Sequence, residues 1–521
     1  MRILGFTPAG FEGEIVTIEV DIRRGIPGTD IVGLAGGAVR EARERVRIAV
    51  RNSGFDYPAD RIVVNLAPAG IPKAGAAFDL PIAAGILRST GQLTVKPDAD
   101  TMILGELQLD GCVRPVAGVL SAVSGGAERG IHHFVVPAAN VAEGRCVRGV
   151  QVVGLLRLSD LGAAFATLAN GLQTQESSIP DQPDNDPTAS LDDFRELLGQ
   201  ATVKRALQVA AAGMHHILLF GPPGSGKTMS IRRMQSILPP LSAAEALEVT
   251  RIYSLAGILP PDHGLILQRP FRTPHHSASL EGIIGGGRSV RPGEISLAHR
   301  GILFLDEVPE FHPTILQSLR EPLEDGIISI ARAERSYWFP AEFQLCVAAN
   351  PCPCGNLGRE RGVCLCSAQD LYRYWRRLGG ALLDRVDMRV PVSPAAPEAF
   401  FRSDGTTSRL MRERVLSAVQ IQERRFKGEK FCRNGRIPVG KIQRYCPLDD
   451  EARCAFEEVV STLGLSSRAT VSVLRLARTI ADLGGTEGNI QADEVLEACQ
   501  YRRYGDGDYF WTGESVLRRV L

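Results

Sequence analysis

Gly221-Pro222-Pro223-Gly224-Ser225-Gly226-Lys227-Thr228 has the spacing G-x-x-x-x-G-K-T. Those residue types suit a nucleoside triphosphate. The glycines let the backbone wrap the phosphates with its N–H groups turned inward, and a helix opening there adds partial positive charge. Lys227 is expected to reach the β- and γ-phosphates, and Thr228 to offer a hydroxyl to Mg²⁺. A second group stands at GILFLDE, where Asp306 and Glu307 follow four apolar residues. Asp306 is expected to hold Mg²⁺ through water, and Glu307 to orient and deprotonate the attacking water. Asn350 closes a third apolar run, QLCVAA, where a polar side chain can hold that water near the γ-phosphate. Arg385, in LLDRVD, offers a cation to the transferring phosphoryl group of its own chain or a neighbour's. The implied chemistry is ATP hydrolysis.

These residues need elements that present them at one edge. The run HHILLF precedes the phosphate loop and the helix-compatible MSIRRMQSIL follows it, which is the strand–loop–helix context the motif requires. Short apolar strands alternate with helical stretches over residues 191–391. That pattern predicts a parallel, doubly wound sheet, whose ligand sites lie at the carboxyl ends of the strands. Residues 1–171 mix β-branched runs (14–22, 61–66, 133–136) with helical stretches (38–52, 80–87) and read as a separate α+β domain. Residues 172–190 are polar and proline-rich and read as a flexible linker. Residues 392–521 are mostly helical, with apolar spacing of helical period at 452–462, 469–483 and 492–501.

Four of the 11 cysteines cluster as Cys352-Pro-Cys354 and Cys364-Leu-Cys366. Four thiolates close a tetrahedral Zn²⁺ site with no open position, a structural arrangement, placed here in a loop over residues 350–368. The plainer reading is reduced cysteine in a turn. Lys+Arg and Asp+Glu are both 59, so overall charge does not argue for nucleic acid, and any such binding must come from local patches. One patch is RRFKGEKFCRNGR, residues 424–436, with Phe426 and Phe431 among the cations. The alternative for it is a solvated basic helix end. No apolar run is long enough to span a bilayer and the first residues lack a signal-peptide core, so the expected compartment is the cytoplasm.

The phosphate loop, acidic strand end, Asn350 and Arg385, in that order, resemble the AAA+ ATPases. Asn350 looks like their sensor-1 residue and Arg385 like the arginine finger. Arg468 and Arg475, in SSRATVSVLRLAR, resemble the sensor-2 region of the helical lid, and the choice between them stays open. RTPHHSAS, PGEISLAHRG, NPCPCG and LRLARTIADL are more specific. They are similar to the magnesium-chelatase-like AAA+ group, most closely the ComM/YifB family, over nearly the whole chain.

That resemblance implies a helix-2 insert at about residues 269–300 facing a ring pore. Arg272, Arg288 and Arg291 are its candidate DNA contacts, and His275 and His276 could touch DNA or metal or simply fix a loop. It implies a homohexamer and a branch-migration helicase promoting recombination of incoming DNA in natural transformation. The alternatives are a chelatase-type motor that remodels a partner protein, and a regulatory ATP-binding switch. In the N-terminal segment, IPKAGAAFDLPIAAGIL and DGCVRPVAGVLSAV resemble the proteolytic domain of Lon. Lon needs a nucleophilic Ser and a Lys base, but Ala77 and Leu120 stand at those positions, so a non-proteolytic module that assembles or contacts DNA is expected.

Overall fold

The computed structural model describes residues 2–34, 36–73, 75–93, 95, 101–170, 192–260, 264–287, 290–332, 335–357, 359, 362–394 and 405–502. The linker read at residues 172–190, the candidate DNA contact Arg288 and residues 503–521 lie outside the described residues.

The apolar run before the phosphate loop is the buried strand Ile217–Phe220. It pairs in parallel with Gln344–Ala349 on one side and Met388–Pro391 on the other. Ile302–Leu305 lies beyond Gln344–Ala349, and Phe271–Arg272 forms the edge. All four pairings are parallel, so every strand ends at one edge. The strand carrying Asn350 therefore stands between the phosphate-loop strand and the acidic strand, though it comes after both in sequence. Its six residues are all buried, which is why it reads as a continuous apolar run with no alternation.

Helix Ala201–Gly213 packs against the strand Met388–Pro391 and carries the C-terminal helices Ser408–Arg425 and Ser467–Gly484. Gln422 donates to the Ala212 carbonyl at 3.1 Å. Asp482 is buried and ties the two lid helices, accepting from Arg425 at 2.6 Å and from Arg478 at 3.2 Å. His216, just before the phosphate-loop strand, is fully buried and takes the Leu345 N–H on Nδ1 at 3.0 Å. Burial pushes its pKa down to about 3, so it is neutral in the fold. The unfolded chain binds the proton first, near pH 6.5, so this contribution is intact above that pH and is lost as pH falls towards 3. A urea midpoint that drops over this interval, and drops less in His216→Asn, is the expected result.

The N-terminal segment is built on a seven-stranded mixed sheet. In spatial order its strands are Gly28–Val32, Arg61–Ala67, Glu12–Arg23, Arg2–Ala9, Thr101–Ile103, His133–Pro137 and Gln151–Leu155. Helices Gly37–Asn52 and Asp79–Ser89 pack on one core, and Val119–Ala127 on another. Arg45 grips the buried Asp79 carboxylate with two hydrogen bonds, at 2.8 and 3.0 Å, which joins the first two helices. Leu120 is completely buried, and Ala77 sits half-buried at the lip of a cleft.

Hydrogen bonds and ring contacts join this segment to the domain of the parallel sheet. The Phe11 N–H donates to Trp338 O at 2.8 Å and their rings are 5.4 Å apart. Gly118 N–H donates to Ser254 O at 3.0 Å, and Arg251 donates to Ser121 Oγ at 3.1 Å with its guanidinium over the Phe11 ring.

Candidate nucleotide site

The phosphate loop runs from the carboxyl end of Ile217–Phe220 into helix Lys227–Arg233. Gly221 passes so close to Val392 O that a Cβ would lie 2.1 Å from it, and Gly226 holds φ +91° at the helix start. Both positions need glycine for the loop to close. Lys227 is buried. Its Nζ donates to Gly221 O at 2.7 Å, to Pro222 O at 3.0 Å and to Asn350 Oδ1 at 3.3 Å. Burial holds this ammonium below the usual lysine range, while the charges of Asp306 and Glu307 oppose the shift. Thr228 Oγ1 donates to Asp306 Oδ2 at 2.7 Å. A loop hydroxyl and a carboxylate side by side are a suitable donor pair for Mg²⁺, and a lysine resting on backbone carbonyls can exchange them for phosphate oxygens.

Glu307 adopts φ +48°, in the left-handed region that a non-glycine residue seldom occupies. Its N–H caps Asp306 Oδ1 at 2.9 Å, and its side chain is exposed beside the loop. Strained backbone of this kind, costing on the order of 1–3 kcal/mol, clusters at active sites. The structure thus brings Lys227, Thr228, Asp306, Glu307 and Asn350 to one strand edge, from loops far apart in sequence.

Arg385 lies elsewhere. It precedes Met388, which pairs with Ile217 at the start of the strand, so it stands at the opposite edge of the sheet. Four strand residues, about 13 Å of sheet, separate that edge from the phosphate loop. There Arg385 pairs with Glu324, which Arg468 also contacts, at 2.5 Å. Arg475 is on the same side and donates to Ile437 O. Neither lid arginine meets the phosphate loop of its own chain in this arrangement. Glu324, which gathers Arg385 and Arg468, had no signal in the sequence beyond being one acid among many on a helix.

The four cysteine sulfurs lie within 4.8 Å of one another, with the nearest pairs at 3.3, 3.6 and 3.7 Å. A tetrahedron of thiolates around Zn²⁺ requires about 3.8 Å between sulfurs, so the constellation fits the metal closely. Its loop also leans on the nucleotide site. Arg359 donates to Pro223 O at 3.0 Å, and a Cβ on Gly355 would come within 2.7 Å of the Pro223 ring.

The candidate DNA contacts separate. Arg272 spends its guanidinium fork on Glu294, with two bonds of 2.7 Å, so it is part of the insert's internal framework. Arg291 is exposed on the hairpin formed by Gly285–Gly286 and Arg291–Pro292. His275 and His276 stack at 4.0 Å, and His275 bonds Ser277, which suits loop fixing. In the basic tract, Phe426 is buried and packs with Phe431 and Tyr445, and Arg433 is buried against Glu423. Phe426 belongs to the lid core, whereas Phe431 is only partly buried and packs against it.

A parallel five-stranded core with a phosphate loop, an acidic strand end and an intervening strand ending in Asn350 is the AAA+ ATPase fold. Residues 193–400 match the family model for magnesium chelatase, subunit ChlI; residues 18–140 match subunit ChlI of Mg-chelatase; and residues 405–502 match its ChlI C-terminal model. The chain is 40% identical over 496 residues to the competence protein ComM of Haemophilus influenzae, covering 95% of each. It is likewise 40% identical over 495 residues to the uncharacterized protein YifB of Salmonella typhimurium, covering 95% of each. The chain belongs to the ComM/YifB family of magnesium-chelatase-like AAA+ proteins. Its N-terminal part is also 28% identical to a Lon protease of Desulfovibrio desulfuricans over 147 residues, or 27% of this chain and 16% of that protein. The fold is therefore an AAA+ core with a helical lid and a Lon-like N-terminal domain, and the family implies ATP and Mg²⁺. Among the described residues, no helix is long and apolar enough to cross a membrane.

Proposed function

We propose that this protein is a ring-forming, ATP-driven DNA motor that migrates branches in recombination intermediates. The observation that carries the reading is the position of Arg385. Arg385 stands at the strand edge opposite its own phosphate loop, held by Glu324 next to Arg468, and we assign it to a neighbouring subunit's nucleotide. A head-to-tail interface of that kind repeats until the rotation closes, which makes a ring, and six subunits is the number we assign. Lys227 binds the phosphates, Thr228 and Asp306 hold Mg²⁺, Glu307 takes the proton of the attacking water and Asn350 orients that water. When bound, Mg²⁺ supplies charge neutralisation at the phosphates. The similarity to a protein named for competence supports DNA as the cargo and natural transformation as the setting. ATPase rate with and without branched DNA tests this. Stimulation by a junction, with free duplex much poorer, is expected; a rate indifferent to every DNA tried would contradict it.

The cysteine cluster is assigned as a structural zinc site that braces the phosphate loop through Gly355 and Arg359. Purified protein should carry about one Zn²⁺ per chain. Elemental analysis should show that metal gone when Cys352 and Cys354 are both changed to Ser, and ATP affinity lowered several-fold as Pro223 loses its support. Metal retained by that double variant would show the ligands to be wrong.

A further inference from the structure

A cleft of about 810 Å³ lies where the Lon-like domain faces two hairpins of the AAA+ core. One wall is the site a protease would use, with Gly75, Ala76 and Ala77. It has lost its nucleophile, and Leu120 at the base position is buried away. The opposite wall is Arg291 from the insert hairpin, with Arg332, Arg335 and Tyr337 from the hairpin of Ile327–Ala331 and Ser336–Pro340.

Three arginines face one carboxylate, Glu106, among the charged residues of the lining. Arg332 and Arg335 close the hairpin with reciprocal backbone bonds of 2.9 and 3.2 Å. Arg332 also bonds Gly287 O, which links the two hairpins, and Arg335 makes a long 3.8 Å pairing with half-exposed Glu14. The Lon-like wall facing these cations carries flat apolar surfaces, Pro8, Pro72 and Pro115, and Tyr337 lines the cleft on the arginine side. Cations spaced along a groove that also offers an aromatic and apolar faces are the chemistry of a single nucleic-acid strand, with phosphates on the arginines and bases against the ring.

We propose that this cleft binds single-stranded nucleic acid, the defunct protease groove forming one wall and the two facing hairpins supplying the charge. The proposal rests on the DNA-motor reading and extends it to the Lon-like domain. Bound strand would bridge the domain and both hairpins, so hairpin movement during the ATP cycle would be felt by the strand at that point.

The test is binding of labelled poly(dT) to the full chain across a salt series, for wild type, for Arg332→Ala with Arg335→Ala, and for Ala77→Trp, which fills the groove from the other side. Both variants should bind about tenfold or more weakly, and the double variant's log–log salt slope should fall by about two. ATPase without DNA should be unchanged, since neither variant touches the nucleotide site. Wild type that binds poly(dT) while both variants match it in affinity and slope overturns the cleft and leaves the motor reading standing. Wild type that binds no DNA, single-stranded or branched, overturns both. Binding of unfolded β-casein that is lost in the variants while DNA binding persists would make the cleft a peptide groove, which also overturns the proposal.

Discussion

Glu307→Gln should bind ATP as wild type does and lose about 10²- to 10⁴-fold in turnover, the usual contribution of a positioned general base. That is about 3–5 kcal/mol of barrier. The amide keeps the shape of the side chain and can still hold water, but it cannot take the proton. Glu307 is exposed at a strand end, so the fold does not depend on its charge. The left-handed turn at Glu307 is a backbone feature and survives the change. Lys227→Ala should behave in the opposite way. Its ammonium is buried and its partners are two carbonyls and Asn350, all of which phosphate oxygens can replace. Truncating a buried charged partner costs about 2–5 kcal/mol, so nucleotide affinity itself should fall about 30-fold or more. Nucleotide binding and steady-state hydrolysis, measured on both variants, separate the two roles. Normal turnover by Glu307→Gln would remove it as the base.

Arg385→Ala should lower turnover about 10³-fold or more, as loss of a phosphoryl-stabilising arginine does, and the loss should be repairable in a mixture. Arg385 and the phosphate loop stand at opposite strand edges, so each nucleotide would use the loop of one subunit and the arginine of the next. In rings mixed from equal parts of Arg385→Ala and Lys227→Ala chains, about a quarter of interfaces pair an intact loop with an intact arginine. Turnover near a quarter of wild type is expected, from two proteins that are nearly inactive alone. No recovery at any ratio, with mixed rings confirmed by mass, would rule out an arginine supplied in trans.

What could be read from sequence followed the range of the interactions. The phosphate loop and the acidic strand end are contiguous patterns, and their strands are buried on both faces, so they appear as unbroken apolar runs. The helices at Gly37–Asn52, Ser467–Gly484 and Ala492–Gln500 were visible through apolar period. The C-x-C pairs likewise sit close in sequence. Partnerships set by the fold were not visible. Arg272 resembled a phosphate ligand until Glu294, 22 residues on, was seen to occupy it. Phe426 resembled a stacking platform, yet it is buried against Phe431 and Tyr445, which leaves only Phe431 partly exposed. The placement of Arg385 depends on which strand pairs with which, and sequence spacing carries no record of that. Arg332 and Arg335 had a usable signal, two arginines just before Tyr337 and Trp338 in ARAERSYW, but their meaning comes from the facing domain.

Strand exchange on a labelled three-way junction measures directly whether ATP hydrolysis by this protein moves DNA branches. With ATP and Mg²⁺, wild type should convert the junction to products, while Glu307→Gln should bind the junction and leave it intact. The dependence on hydrolysis separates a motor from an ATP-binding switch. Vigorous ATPase with an unmoved junction, stimulated by a partner protein and not by DNA, would contradict the account and favour a chelatase-type remodelling motor.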